Sequence, residues 1–155
     1  MKPEIMDAYV AILEEELVLA TGCTEPIAIA YAAAKLRDTL GSVPERVKAE
    51  VSGNILKNVK SVVVPGTGGM KGIAAAVAAG IVAGDANAEL QVIGSVDKKD
   101  LKRIKQYADE TPIEIACMDD TPCLLDIRLT GWAGVDNAVV RIPQCELYYL
   151  RASQG

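Results

Sequence analysis

An α+β fold is predicted, with buried small-residue helices beside a small, mainly antiparallel sheet. Three observations carry it. Two segments, 25–34 and 70–84, are apolar around nearly the whole helical circumference and are built mostly from Ala, Ile, Val and Gly. Three of the five strand-like runs gather in the last third of the chain instead of alternating regularly with helices, as a βαβ fold would require. Half of the 155 residues are apolar, yet only 4% are aromatic and there is no Phe. A core of Ala, Val, Ile and Leu then needs close backbone packing through small residues.

The elements follow in order. From Pro3 to Ala20 the apolar residues Ile5, Tyr9, Ile12, Leu13, Leu17 and Ala20 fall at helical spacing, with Glu14 to Glu16 mostly outward. The segment 21–26 interrupts this pattern. Thr24 suits the cap of a second helix, Glu25 to about Leu40, with Pro26 in its first turn and Gly41 as terminator. Arg46 to Ser52 alternates as a half-buried strand, and Ser61 to Val64 is a shorter β-like run. A glycine-rich loop leads into a third helix, Met70 to Gly84. Asp97 caps a fourth, Lys98 to Ala108, with Leu101, Ile104 and Tyr107 on one face. Pro112 to Cys117, Leu124 to Thr130 and Ala138 to Ile142 read as strands, with 131–137 as the turn between the last two. Residues 1–155 read as one domain.

Composition removes several classes of function. There is no histidine, so the chain holds no Ser-His-Asp triad, no Cys-His dyad and no His-ligated zinc. The net charge of −5 argues against a general grip on nucleic acid. The N-terminal stretch reads as neither a signal peptide nor a membrane span. Cys23, Cys117, Cys123 and Cys145 form no regular framework, and without a secretion signal they read as reduced cytoplasmic thiols.

Two motifs carry chemistry. In Val64-Pro65-Gly66-Thr67-Gly68-Gly69-Met70-Lys71-Gly72, glycines allow a ligand to approach the backbone closely. Amides at the following helix start suit a phosphate or carboxylate. It is neither a P-loop nor a dinucleotide fingerprint, and a tight strand-to-helix turn explains the same residues. Cys23 precedes a helix start, where a thiolate is stabilised. Glu25 beside it is an acid or base candidate, or simply a first-turn acid. Asn54 and Asn58 fit a turn or a polar substrate equally well. Cys117, Cys123 and Cys145 read as buried filler, and Trp132 as a packing anchor.

Thr21-Gly22-Cys23-Thr24-Glu25-Pro26, Ser52-Gly53-Asn54-Ile55-Leu56-Lys57-Asn58 and the segment 64–73, in this order and spacing, resemble the L-cysteine desulfidase family. That family is related to the α-chain of iron–sulfur L-serine dehydratases. The resemblance implies the N-terminal part of a pyridoxal-independent lyase, without pyridoxal phosphate. Such an enzyme takes L-cysteine or L-serine to pyruvate and ammonia, releasing sulfide or water, with a [4Fe–4S] cluster in the complete enzyme and none in this portion. Cys23 would be cluster ligand or base, with Glu25 as the second catalytic candidate. Thr24, Asn54, Asn58, Pro65, Gly66, Thr67, Gly68, Gly69, Met70 and Lys71 would lie at the substrate. Family members are longer, with further cluster cysteines in a C-terminal helical region and a histidine where this chain reads Ile142-Pro143-Gln144-Cys145. The 155 residues alone are therefore expected to be inactive.

Two other classes compete with this reading: a module that binds an amino acid or other small anion without catalysis, and a metal or redox protein using all four cysteines. The expected partners are a small amino-acid substrate, a missing C-terminal region or partner chain, and a second copy of the chain. Neither nucleic acid nor a membrane is expected, and the cytoplasm is the expected compartment.

Overall fold

The computed structural model describes residues 5–9, 24–94, 96–119 and 121–144. It is α+β, as expected, and its order is β1 (Ile5–Tyr9), α1 (Thr24–Leu40), β2 (Arg46–Ser52), α2 (Gly53–Val59), α3 (Ile73–Ala83), a 3-10 turn (Ala86–Gln91), α4 (Lys98–Glu110), β3 (Ile113–Met118), β4 (Leu125–Ala133) and β5 (Asp136–Gln144). The sheet order is β1-β5-β4-β2-β3. Its centre is antiparallel, β5 on β4 and β4 on β2, while the edge strands β1 and β3 run parallel to their neighbours.

Register sets the layers. Val47, Ala49 and Val51 of β2 stand beside Gly131, Leu129 and Ile127 of β4, which stand beside Ala138, Val140 and Ile142 of β5. All are buried. Period-two alternation therefore gives the sheet one apolar face, and α1 lies on it. A Cβ on Gly131 would sit 3.0 Å from Leu36 Cδ2 of that helix.

Helix α1 is buried from Ala28 to Ala34 and again at Leu36, as its apolar circumference predicts. Gly41 ends it with φ 82°, donating its N–H to Arg37 O at 2.9 Å. Helix α3 packs on α1 backbone to backbone: a Cβ on Gly80 would collide with the Ala30 carbonyl and come within 2.8 Å of Ala33 Cβ. Arg37 then reaches across to the end of α3, donating to Ile81 O at 3.0 Å. A cation on the last carbonyls of a helix is favourable. Helix α4 opens with a reciprocal capping box, Asp100 N to Asp97 Oδ1 at 3.0 Å and Asp97 N to Asp100 Oδ2 at 3.2 Å.

Several expectations are corrected. Residues 5–9 form an edge strand, not the first turns of a helix; the remainder of the expected helix, 10–20, lies outside the described residues. Ser61 to Val64 forms only an isolated bridge, Val63 with Lys71. Residues 53–59 are helical, not a turn. The last hairpin turns at Gly134 (φ 61°) and Val135, so Trp132 lies in β4 with the Arg46 guanidinium 3.9 Å above its ring.

On the sheet face opposite α1, Arg128 donates to both carboxylate oxygens of Glu50, at 3.0 and 2.7 Å. That hydrogen bonding, with the charge of Arg128, holds the Glu50 carboxyl below its usual range and raises Arg128. A depressed carboxylate contributes stability above its unfolded pKa and loses it as pH falls through the folded value. The melting-temperature gap between wild type and Glu50→Gln should accordingly close on acidification from about pH 6 to about pH 3. Thermal melts across that range check it, and a gap independent of pH would contradict it.

Candidate functional site

The glycine-rich segment is a closed bulb. Val64 N donates to Met70 O at 2.8 Å and Gly72 N to Val62 O at 3.2 Å, which pins its two stems together. Between them Gly66, Gly68 and Gly69 take φ values of 77°, 69° and 102°, a left-handed course that glycine alone follows without strain. Thr67 is buried inside, its hydroxyl donating to Val64 O at 2.6 Å. It holds the loop and presents no hydroxyl to a ligand. The tip packs elsewhere: a Cβ on Gly66 would lie 3.2 Å from Ile93 O, and one on Gly68 would lie 3.5 Å from Leu101 Cδ1 of α4. Pro65 is half-buried, and Met70 packs against the core.

Lys71 and Gly72 face another way. Gly72 is the N-cap of α3, with φ 93° and no side-chain cap. The first-turn amides of that helix therefore lack intrahelical acceptors. Together with Leu56, Lys60, Ile73, Ala74 and Ile115, Lys71 and Gly72 line a pocket of about 400 Å³. Its floor is apolar, its cations are Lys60 and Lys71, and no acid lines it. Ile115 on edge strand β3 is 39% exposed there.

The remaining candidates gather on a separate surface. Asn58 Nδ2 donates to Glu25 Oε2 at 3.1 Å, so two candidates far apart in sequence do meet. Asn54 is exposed one turn before Asn58 on α2. Leu56 and Lys60 project from the opposite side of that helix, about 200° of rotation away. The asparagines and Lys71 therefore do not share the pocket, and one cleft uniting all the candidates does not form among them. Thr24 begins α1. Cys23 lies outside the described residues, as does Cys145, so the expected meeting of the Cys23 sulfur with the glycine loop falls outside them too.

The cysteines depart from expectation. Cys117 is free and exposed, not buried filler. The hydrogen bond and charge of Asp119 push its thiol up. Cys123 is buried as expected but disulfide-bonded, not reduced. Among the described residues no group of three or more His, Cys, Asp or Glu is placed to hold a metal ion. None of the helices there is long and apolar enough to cross a membrane.

Fold and site thus define an α+β domain with a cationic, apolar-floored pocket at the start of a buried helix. Several relatives carry one name. The chain is 57% identical over 122 residues to a UPF0597 protein of Desulfitobacterium hafniense, an alignment covering 79% of this chain and 28% of that protein. It is 46% identical over 136 residues to one of Treponema denticola, 88% and 31% of the two chains. A third, from Finegoldia magna, is 44% identical over 134 residues, 86% and 32%. The chain thus spans about three-tenths of the length of the curated relatives it matches. No family model and no solved structure matches it.

These relatives correct the affiliation drawn from the motifs. They carry the UPF0597 name, not that of L-cysteine desulfidases or L-serine dehydratases. The lyase and iron–sulfur readings fall with that affiliation.

Sequence reasoning passed over Leu56, Lys60 and Ile115. Each alone reads as an ordinary core or solvated residue. The available signal was the i, i+4 spacing of Leu56 and Lys60, which becomes visible only once residues 53–59 are read as a helix.

Proposed function

We propose that this part of the protein is a binding module for a small anion. The observation that carries the proposal is that Lys60 and Lys71 line one pocket with the uncapped first turn of α3, and that no acid lines it. Helix-start amides carry partial positive charge, and two ammonium groups beside them add full charges. Lys71 reaches this position because the bulb of residues 64–72 returns the chain on itself, with Val63 bridged to Lys71. The loop glycines make that return possible; in this reading they are a support and not the cradle itself. The Glu25–Asn58 pair stands apart from the anion and does not bind it.

Calorimetric titration with acetate tests the proposal. Lys71→Gln should weaken binding about tenfold, the low end for a charge-assisted hydrogen bond. Asn54→Ala should leave it unchanged. Equal affinity in wild type and Lys71→Gln would contradict the assignment.

A further inference from the structure

The lining of the Lys60–Lys71 pocket says more about its occupant than charge alone. Four of its side chains, Leu56, Ile73, Ala74 and Ile115, are aliphatic. Ile115 is among the few large apolar residues that stay exposed, and it does so inside this pocket. No hydroxyl, amide or carboxylate side chain lines it, so the hydroxyls of a sugar phosphate would lose water without gaining a partner. An ammonium group would meet two like charges and no acceptor side chain, which disfavours a free α-amino acid.

Resting on the anion-binding reading, we infer that the occupant is a short aliphatic monocarboxylate. Its carboxylate lies between Lys60, Lys71 and the first amides of α3, and its hydrocarbon body lies on Leu56 and Ile115. Selectivity then comes from the floor. Each methylene taken from water tightens binding by about fourfold, and an ammonium on the α-carbon reverses the gain.

The test is a calorimetric titration of the 155-residue chain with acetate, isovalerate and L-leucine in turn. Isovalerate should bind at least tenfold tighter than acetate and at least tenfold tighter than leucine, which has the same branched end, one more carbon and an added ammonium. Ile115→Asn, a change at an exposed position, should weaken isovalerate several-fold. Equal affinities for acetate and isovalerate would overturn the aliphatic inference and leave the anion site standing. Leucine binding as tightly as isovalerate would overturn the exclusion of amino acids. No binding of any of the three would overturn both the inference and the anion reading.

Discussion

Gly80→Ala should destabilise the protein by about 2–3 kcal/mol, although alanine favours an isolated helix over glycine by about 1 kcal/mol. The two effects oppose each other, and the geometry decides between them. A Cβ at position 80 would collide with the main-chain carbonyl of Ala30, which is backbone and cannot rotate aside. Ala33 Cβ, 2.8 Å away, closes the other side. Relief requires α1 and α3 to separate. That would loosen the buried contacts of Ala76, Val77 and Ala79 together with those of Ala30 and Ala33. A shift of 2–4 °C per kcal/mol in a chain of this length gives a fall in melting temperature of roughly 4–12 °C. A neutral or stabilised variant would show that the two helices do not meet at this distance.

Asp126→Ala should cost about 3 kcal/mol, and for a different reason. Asp126 is fully buried and accepts from Arg141 Nε at 3.0 Å and Nη2 at 2.6 Å, and from the Thr121 hydroxyl at 2.6 Å. Its own N–H donates to Ser52 Oγ at 3.3 Å, and that hydroxyl donates onward to Leu124 O at 2.8 Å. One carboxylate thus ties β4 to β5 and to the segment before β4. Removing one partner from a buried ion pair typically costs 3–5 kcal/mol. Arg141 keeps some access to water, 28% of its side chain, which puts the loss at about the lower end of that range. Asp126→Asn keeps the shape and loses the charge, so it should fall between Ala and wild type. Urea denaturation of the three proteins checks the order, and indistinguishable midpoints would contradict it.

The α+β class and both buried helices were legible because patterning over a dozen residues or more is hard to satisfy by accident. The shorter elements were not. Ile5–Tyr9 is a five-residue edge strand whose apolar spacing also fits a helix, and only its pairing with β5 decides between them. Helix α2 holds Gly53 and two asparagines, all weak helix formers; packing of Ile55 and Val59 holds it instead. Trp132 read as part of a turn because Gly131 and Gly134 flank it. Gly131 is in fact a strand residue kept small by Leu36 above it.

The site was legible only in part. Lys71 and the loop glycines stood out as a motif, yet the glycines serve a tight return and close packing on Ile93 and Leu101. The Glu25–Asn58 contact spans 33 residues and left no local trace. Lys60 and Ile115 come from different elements, and only the parallel pairing of β3 with β2, beside the end of α2, brings them to one pocket.

A nitrogen-15 and methyl-resolved NMR titration of the chain with isovalerate addresses the anion pocket most directly. Saturable shifts are expected at the amides of Gly72, Ile73 and Ala74 and at the Ile115 methyls, with the amides of Asn54 and Gly134 unmoved. Saturable shifts centred on another surface, with the start of α3 silent, would contradict it.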